Sequence, residues 1–416
     1  MKALLKFKSM KECTVTGKRV LVRVDINSPL DPVTKHITSD NRIVKTAPTV
    51  RWLAEQGAKV ALIAHQGDTD DYQNLITLEE HATLLAKELD RPVRYIDDVC
   101  GPAAVQAIEA LNEGDIVLLG NLRYLAEEIS VFEKVVPLKP SEMTGCWLIR
   151  TLAPLFDLYV NDAFSAAHRS SPSMVAFQEV LPSAAGPLLF DEVEALTTIL
   201  TASEHPSVFV LGGARIGDAF GMMQSVLENG TADRILTLGV TGQVFLLASG
   251  IELGEKTHAF LQGKSLLGFV DEARAFLKSY PNRILMPTDL AYADVHGTRV
   301  EIAVQTSMPN ESYGDIGSKT IELYSREIAK AKTVFVNGPA GIYEKELFEK
   351  ATREIWRAIA ASDGYTVVGG GDSVSAASKY TNLDDWSYVC TAGGAMVRFM
   401  SGKTLPLIKA MEQASK

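Results

Sequence analysis

Several signatures of common protein classes are absent from this sequence or scarce in it. The 416 residues include four cysteines, Cys13, Cys100, Cys146 and Cys390, and no two of them have the Cys-x-x-Cys spacing. Reduced, mostly buried thiols are therefore expected, rather than a disulfide framework or a zinc site. No stretch approaches the ~20 apolar residues of a membrane span, and lysines interrupt the short apolar run at the N-terminus, unlike in a signal peptide. We expect a cytoplasmic protein with no membrane partner.

An excess of positive charge is also missing. Lysine and arginine number 41 against 51 aspartates and glutamates, which gives a formal net charge of −10. A general nucleic-acid binder needs a basic face for the phosphate backbone, so no nucleic-acid partner is expected. A phosphorylated small molecule would have to be held by local clusters of basic residues within an acidic chain.

The phosphate-binding motifs of two large kinase classes are lacking. Gly263-Lys-Ser265 and Gly402-Lys-Thr404 resemble the end of a Walker A loop, but His258 and Val397 stand where its first glycine belongs. The motif set of protein kinases is missing as well. Phosphate chemistry in this chain would therefore use another scaffold.

What the sequence does contain is a repeated alternation of a short apolar strand, a polar turn and an amphipathic stretch. Hydrophobic residues make up 46% of the chain, enough for two cores, and such alternation is typical of parallel sheets covered on both faces. The predicted strands are Arg19–Ile26, Lys59–His65, Asp115–Gly120, Asp157–Val160, Ser207–Leu211, Arg234–Leu238, Arg283–Met286, Thr333–Val336, Tyr365–Val368 and Tyr388–Cys390. We therefore predict an α/β fold of two doubly wound, Rossmann-like domains.

Two helices are indicated with particular clarity. The junction between the domains is predicted at Pro182–Pro187, and apolar residues at helical spacing then indicate a connecting helix, Leu188–Ser203. Thr77–Glu80 has the pattern of a capping box at the start of another helix. The apolar positions of that second helix would be Leu78, Ala82, Leu85 and Leu89.

Polar and basic residues follow the predicted strands of the first half. Ligands of doubly wound folds bind at the carboxyl ends of the strands. A single arginine there is usually a solvated surface residue, but several in one domain favour a pocket for a small phosphorylated anion, because guanidinium groups bind phosphate and carboxylate bidentately. The candidates are Arg42, His65, Arg123 and Arg169.

The strands of the second half end in glycine-rich turns instead. Glycine permits positive φ and close backbone approach, and a helix that begins after such a turn points free N–H groups at phosphate oxygens. One such turn is as often an ordinary tight turn, but four in one domain favour a nucleotide site. Asp372, amid these glycines, is the natural magnesium ligand because Mg²⁺ prefers hard oxygen donors. The turns are Gly212–Arg215, Asn337–Gly341, Gly369–Ser373 and Thr391–Ala395.

In this order the segments resemble the phosphoglycerate kinase family. Its motifs recur at matching separations from about residue 18 to 411, almost the whole chain. Ala64–Gly67 and Glu79–His81 look like the archaeal branch. The other matching segments are Arg19–Pro29, Asn161–Phe164, His168-Arg169, Leu211–Ala214, Asp315–Gly317, Asn337–Pro339 and Gly369–Asp372.

The resemblance implies an enzyme that transfers the γ-phosphoryl of ATP reversibly to the carboxylate of 3-phosphoglycerate, with Mg²⁺ and with a hinge and cleft between its domains. The predicted organisation is an acid-binding domain at 1–183, a connecting helix and hinge at 184–203, a nucleotide domain at 204–393 and a segment, 394–416, that returns to the first domain.

The resemblance also assigns the site residues. The acid-binding residues would be Asp25, Asn27, Arg42, His65, Gln66, Gly67, Asp68, Arg123, His168 and Arg169. The nucleotide-binding residues would be Gly212, Gly213, Arg215, Gly239, Asn337, Pro339, Glu344, Gly369, Gly370, Gly371, Asp372 and Ser373, with Glu344 on the ribose and Asp372 on the metal. Arg42, Arg215, Gly371 and Gly394 would act on the reacting groups.

Four positions depart from the family pattern. Arg215 replaces a lysine, Asp68 stands where the family has a basic residue facing the acid, Gly120 replaces a glutamate and Ala392 replaces a glycine. Two interpretations stay open: lineage drift with compensation, or a paralogue that uses another carboxylate or only binds its ligands. The retained Asp372, basic cluster and glycines favour a phosphotransferase of glycolysis and gluconeogenesis. A monomer is expected, with a dimer as the alternative.

Overall fold

The structure, a computed structural model, describes residues 5–67 and 74–414. The chain divides into two compact units. The N-terminal unit contains the residues up to Glu194 and those from Thr404 onward, and the C-terminal unit runs from Ala195 to Lys403. None of the helices in the described ranges combines the length and the apolar character that a membrane crossing requires.

The N-terminal unit is built on one parallel sheet. Its strands are β1 (Arg19–Val24), β2 (Lys59–Ile63), β3 (Arg94–Tyr95), β4 (Ile116–Leu118), β5 (Leu158–Asp162) and β6 (Ser183–Ala185). They lie in the order β3-β4-β2-β1-β5-β6. The central strands are buried along almost their whole length, as a sheet covered by helices on both faces requires. The helices are α1 (Asn41–Glu55), α2 (Glu79–Leu89), α3 (Pro102–Glu109), α4 (Ser130–Val135), α5 (Trp147–Leu152) and α6 (Pro172–Val175).

The boundary between the units falls within the helix α7 (Pro187–Thr201), and the C-terminal unit begins at Ala195. Its strands are β7 (Ser207–Leu211), β8 (Arg234–Thr237), β9 (Ile284–Leu285), β10 (Asp289–Ala293), β11 (Arg299–Ala303), β12 (Tyr313–Ile316), β13 (Thr333–Asn337), β14 (Tyr365–Gly369) and β15 (Tyr388–Val389). Its helices are α8 (Ile216–Glu228), α9 (Gly239–Ala248), α10 (Glu255–Gly263), α11 (Val270–Ser279), α12 (Ser318–Lys330), α13 (Lys350–Ala360), α14 (Gly371–Tyr380) and α15 (Gly393–Met400). Six of the strands form a parallel sheet in the order β15-β14-β13-β7-β8-β9. The predicted fold class of two α/β units with parallel sheets is confirmed.

A second sheet in the C-terminal unit was not predicted. Strands β11, β10 and β12 pair antiparallel in that order. Residues of β11 alternate between half-buried and exposed, and β12 is the short, mixed run Tyr-Gly-Asp-Ile. Neither segment forms the apolar run that identified the parallel strands.

The predicted junction at Pro182–Pro187 contains a strand. β6 pairs in parallel with β5 through Tyr159 and Ser183 and through the two residue pairs that follow. Its sequence, Ser-Ala-Ala, is too short and too small to show an apolar pattern. The connecting helix predicted at Leu188–Ser203 is present as α7, one residue earlier at its start and two residues shorter at its end.

The capping box predicted at Thr77–Glu80 does not form. Helix α2 begins at Glu79 with Leu78 as N-cap and has no side-chain capping bond. The carboxylate of Glu80 instead accepts the backbone N–H of Ile37 at 3.3 Å and contacts the ring of His36, so it does not reach back to the start of its own helix. The apolar face of α2 is as predicted, with Leu78, Ala82, Leu85 and Leu89 all buried.

The final segment of the chain is divided between the units. Helix α15 packs on α8 within the C-terminal unit. The last helix, α16 (Pro406–Ala414), packs on α6 in the N-terminal unit, where the N–H of Leu407 donates to the carbonyl of Ala167 at 3.2 Å. None of the four cysteines, all of which lie in the described ranges, forms a disulfide; Cys100 and Cys390 are buried, and Cys13 and Cys146 are half-buried.

Candidate functional site

The strand order of the N-terminal unit brings the predicted acid-binding residues to one edge of its sheet. β4, β2, β1 and β5 are parallel neighbours, so the turns that follow them meet at their carboxyl ends. These turns carry Asp25 and Asn27 after β1, His65 after β2, Arg123 after β4, and His168 and Arg169 after β5.

Arg42 reaches this edge from the start of α1. Its Nη1 donates to Oδ2 of Asp25 at 2.5 Å, and the hydroxyl of Ser165 donates to the same oxygen. The Arg42 side chain is still 41% exposed. Asp25 therefore holds the guanidinium in place and leaves part of it open to a ligand.

His65 lies at the centre of a group of arginines. It is 7% exposed, and burial together with the charges of Arg23, Arg123, Arg42 and Arg169 lowers its pKa well below the usual value for histidine. Burial and the neighbouring Arg23 also lower the pKa of Arg123 to about 10. Three carboxylates lie among these four arginines: Asp25 on Arg42, Glu133 at 3.9 Å from Arg169, and the buried Glu128. The arginines outnumber the carboxylates, which suits an anionic ligand.

Gln66 and Gly67 support the turn after β2. The amide of Gln66 is buried and makes two bonds with the backbone of Ser28, accepting at 2.8 Å and donating at 2.9 Å. Asn27 accepts the N–H of Gly67 at 3.1 Å. These contacts tie the turn after β2 to the turn after β1, and the side-chain amide of Gln66 is used within this connection.

The remaining basic residues rest on the segment around α4. Arg123 donates to the carbonyl of Glu128, and Arg169 donates to the hydroxyl of Ser130 at 2.6 Å. His168 is half-buried beside Arg169. Asp68, one of the four departures from the family pattern, lies outside the described residues.

Arg23 belongs to this group but was not predicted as a site residue. It lies within β1, is 2% exposed, and places Nη2 at 2.8 Å from Nδ1 of His65. The available signal was an arginine in the middle of an otherwise apolar strand, because a fully buried charge is rare without a partner.

The C-terminal unit contains a cavity of about 350 Å³. Its walls include apolar side chains, among them Phe260 and Ile342, which are otherwise 46% and 44% exposed. An apolar cavity with a few polar groups fits a nucleobase and its sugar. The predicted nucleotide-binding residues that line it are Gly213, Gly239, Pro339, Glu344 and Asp372.

Close backbone packing explains the glycines beside this cavity. Gly212 donates its N–H to the carbonyl of Asn337 at 2.9 Å, and Gly213 to that of Pro339 at 3.0 Å. Gly338 has φ +87°, and a Cβ there would overlap the carbonyl oxygen of Gly212. The turns after β7 and β13 can meet in this way only with glycine at the crossing.

Helices that start at these turns leave their first N–H groups available. α9, α14 and α15 begin at Gly239, Gly371 and Gly393, and none has a side-chain cap. The starts of α14 and α15 are adjacent, since a Cβ on Gly393 would lie 3.8 Å from Cα of Gly370. Such N-termini favour phosphate oxygens, and Asp372 stands exposed at the second position of α14.

The other predicted nucleotide residues support these turns. Asn337 donates to the carbonyl of Gly369 at 2.8 Å, and the buried Ser373 accepts the N–H of Gly338 at 2.6 Å. Gly370, at φ +92°, is the N-cap of α14. Arg215, Gly371 and Gly394 lie outside the cavity lining, near the starts of α8, α14 and α15.

Asp315 lies in one of the segments that match the family, but it was not predicted as a site residue. It lines the cavity, is 3% exposed, and accepts from Arg299 at 2.9 Å and from the N–H of Ala351 at 3.1 Å. Burial raises its pKa to about 6. Its pairing with Arg299, on the unpredicted antiparallel sheet, is visible only in three dimensions.

The three departures within the described residues have local explanations. Ala392 has φ −136°, which any residue adopts. Gly120 packs against the backbone of Asp98, which a Cβ would approach to 3.1 Å. Arg215 is exposed at the N-cap of α8, so its longer side chain has room.

Comparisons with known proteins agree with this geometry. The family model described as "Phosphoglycerate kinase" matches residues 10–403. The phosphoglycerate kinase of Methanothermobacter thermautotrophicus is 41% identical over 98% of this chain and 97% of its own length, and that of Thermococcus kodakarensis is 40% identical over 96% and 95%. The crystal structure of phosphoglycerate kinase from Pyrococcus horikoshii superposes with a TM-score of 0.85 at 37% identity, covering 98% of this chain and 99% of that one. The chain belongs to the phosphoglycerate kinase family.

Proposed function

We propose that this protein catalyses the reversible transfer of the γ-phosphoryl group of ATP to the carboxylate of 3-phosphoglycerate, which gives 1,3-bisphosphoglycerate and ADP. One observation carries the proposal: in a member of this family, the predicted basic residues converge at one sheet edge and the predicted glycine turns converge on one cavity. The reaction belongs to glycolysis and gluconeogenesis, and a cytoplasmic monomer is the matching assembly.

The N-terminal unit binds the acid. Arg42, held by Asp25, is placed to contact the reacting carboxylate, while Arg123, Arg169 and His65 contact the phosphate at the other end of the molecule. Fixed cations bind an anion with little reorganisation, and bidentate guanidinium contacts orient it.

The C-terminal unit binds the nucleotide. The base and ribose occupy the cavity beside Phe260 and Ile342, with Glu344 at the ribose, and the phosphates lie along the glycine turns. The free N–H groups at the starts of α14 and α15, around Gly371 and Gly394, then stabilise charge on the phosphoryl group as it moves, with Arg215 as a further cation.

Magnesium fits the residues present. Asp372 is a single exposed carboxylate at the edge of a phosphate-binding helix start, and no cluster of metal-ligating side chains occurs within the described ranges. An ion held mainly by phosphate oxygens and water, with one protein carboxylate, is typical of Mg²⁺. When bound, the ion would neutralise charge on the phosphates. The chain's own residues bind and orient the two substrates and exclude water from them.

A coupled assay tests the proposal. ADP formation from ATP and magnesium should depend on added 3-phosphoglycerate and saturate with it. Acids that keep the carboxylate and lack the phosphate should give lower kcat/KM, because they leave Arg123 and Arg169 without a partner. A preference for such an acid over 3-phosphoglycerate would support the alternative, a paralogue with another substrate.

Asp68 gives the sharpest test of that alternative. A carboxylate at ~4–6 Å from a bound phosphate repels it by roughly 2–4 kcal/mol at an effective dielectric near 20. If 3-phosphoglycerate is the substrate, Asp68→Lys should leave kcat/KM for it unchanged or raise it. If the natural acid is another carboxylate, Asp68→Lys should shift the preference towards 3-phosphoglycerate and lower activity on the natural acid. If strong wild-type activity collapses in Asp68→Lys, the assignment of this position as one facing the acid is wrong.

A further inference from the structure

A buried chain of hydrogen bonds lies behind the cationic site of the N-terminal unit. It begins at Glu128, which is 1% exposed and accepts both the backbone N–H and the hydroxyl of Ser173 at 2.6 Å. The hydroxyl of Ser173 accepts in turn from Nε of Arg23 at 3.4 Å, and Nη1 of Arg23 donates to the carbonyl of Val24 at 2.5 Å. The guanidinium of Arg23 is therefore held on two sides.

The remaining contact of the guanidinium, through Nη2, determines which imidazole nitrogen of His65 carries the proton. Nη2 of Arg23 lies 2.8 Å from Nδ1 of the imidazole. A guanidinium has donors and no acceptor, so Nδ1 must be the acceptor and carries no proton. The single ring proton is then on Nε2, since the partner of one imidazole nitrogen fixes the state of the other.

The surrounding charges oppose a second proton on the ring. Four arginines from different elements lower the pKa of His65: Arg23 from β1, Arg42 from α1, Arg123 from the turn after β4 and Arg169 from the turn after β5. The carboxylates of the group contact these arginines or their partners: Asp25 pairs with Arg42, Glu133 lies 3.9 Å from Arg169, and Glu128 accepts from the Ser173 hydroxyl that Arg23 contacts. Burial and these charges act in the same direction on the pKa of His65, which is lowered. An imidazolium here would be a fifth cation without a carboxylate partner among the described residues.

We propose that Arg23 is a positioning residue that holds His65 as a neutral Nε2–H donor, so that His65 gives the phosphorylated acid a hydrogen bond and no charge. The identity of the acid rests on the proposed function; the state of the imidazole does not. It follows that the affinity for the acid does not depend on protonation of His65 between about pH 5.5 and 8.

Nitrogen NMR of the whole ¹⁵N-labelled protein tests the state of the ring directly. The His65 signals, identified by their loss in His65→Gln, should show an unprotonated Nδ1 and a protonated Nε2, unchanged from pH 5.5 to 8. The exposed His36 and His205 serve as reference signals. A proton on Nδ1, or on both nitrogens, anywhere in this range would overturn the proposal.

Kinetics with Arg23→Gln test the role of Arg23. The informative quantity is KM for 3-phosphoglycerate in the variant divided by that in the wild type, because ionisation of the acid itself cancels in this ratio. Without the guanidinium, His65 gains a proton at low pH and adds a cation, so the ratio should fall several-fold from pH 8 to 5.5. Arg23→Lys keeps the charge and a donor, and its ratio should stay flat.

A ratio raised equally at every pH in Arg23→Gln would show a merely structural role and would overturn the positioning of His65 by Arg23. If Arg23→Gln does not fold, because Glu128 and Ser173 lose their partner, the NMR pattern of the wild type decides alone. If the wild type does not turn over 3-phosphoglycerate, the proposed function fails, while the NMR pattern still decides the state of His65.

Discussion

Asp372 and Asp315 are both carboxylates at the nucleotide cavity, yet their surroundings give them different roles. Asp372 is exposed at the start of α14, so it can bind an ion from solvent without first losing a partner. Asp315 is buried, is paired with Arg299 at 2.9 Å, and has a pKa raised to about 6 by burial. Asp315 therefore supports the wall of the cavity, and Asp372 is the residue to test for a direct role.

Asp372→Ala should lower kcat by ~100-fold or more. A residue that holds a cation at the phosphates stabilises mainly the transition state of phosphoryl transfer. The free energy of unfolding should change by less than about 1 kcal/mol, as is usual for an exposed side chain. Calorimetry should show that magnesium no longer strengthens nucleotide binding.

The matched control for this variant is Asp271→Ala. Asp271 lies in the first turn of α11 and its side chain is 90% exposed, but no phosphate is expected there. Asp271→Ala should have the same turnover and nucleotide binding as the wild type. If magnesium strengthens nucleotide binding to Asp372→Ala as much as to the wild type, Asp372 is not a ligand of the metal ion.

The candidate nucleotide site is built from turns that touch each other. The turns after β7 and β13 cross at Gly212 and Gly338, where Gly338 has a positive φ and no room for a Cβ. Gly338→Ala should therefore lower the free energy of unfolding by roughly 2–4 kcal/mol, through strain and a backbone clash, and should weaken nucleotide binding.

Gly263→Ala is the control for that substitution. Gly263 is the last residue of α10, and a Cβ there meets no atom within 4 Å. Its stability should be unchanged or higher by up to about 1 kcal/mol, since alanine is the better helix former. Equal stability of the two variants in thermal or denaturant unfolding would contradict the crossing of the turns.

The link between β5 and α7 predicts a dependence of stability on pH. Asp162 is 1% exposed and accepts from Thr49 at 2.5 Å and from the N–H of Leu189 at 3.1 Å, yet burial raises its pKa to about 6. Because the folded pKa is above the usual 3.8 of an aspartate, the stability that Asp162 contributes is full below about pH 4 and is lost as the pH rises through 6.

Asp162→Asn cannot ionise, so it isolates this contribution. The free energy of unfolding of the wild type minus that of Asp162→Asn should fall by roughly 2–3 kcal/mol between pH 4 and 7.5, because a tenfold change in proton affinity between the folded and unfolded states is worth ~1.4 kcal/mol. Urea unfolding at several pH values measures this difference. If the difference in free energy of unfolding stays constant or grows with pH, burial does not destabilise the ionised form of Asp162.

Strands with a clear apolar pattern could be predicted from the sequence, and those with small or mixed residues could not. All ten predicted strands are present within a few residues, and the central strands β1, β2, β5, β7 and β13 are buried along almost their whole length. β3 was missed because it consists of an exposed arginine and a half-buried tyrosine. β6 has three small residues, and β11 of the antiparallel sheet is half-exposed, so neither shows an apolar pattern. Site residues at strand ends could be found from topology. The roles of Arg23 and Asp315 could not, because they depend on partners distant in the sequence.

We propose that the N-terminal unit of the molecule binds the acid and the C-terminal unit binds the nucleotide. The chain carries a net charge of −10, and its proposed acid site is nevertheless a group of arginines, so we expect the local field and not the overall charge to select the anion. Transfer then requires both bound substrates to meet, which the expected hinge would provide. One activity should therefore depend on residues of both units.

The most direct measurement is the rate of ADP formation from ATP and magnesium, with and without 3-phosphoglycerate, in the wild type and in two variants. Arg42→Gln changes the N-terminal unit and Asp372→Ala the C-terminal unit. We predict activity that depends on 3-phosphoglycerate in the wild type and kcat/KM lower by ~100-fold or more in each variant, both folded as judged by circular dichroism. Wild-type protein that forms no ADP in response to 3-phosphoglycerate, or full activity in both folded variants, would contradict this assignment.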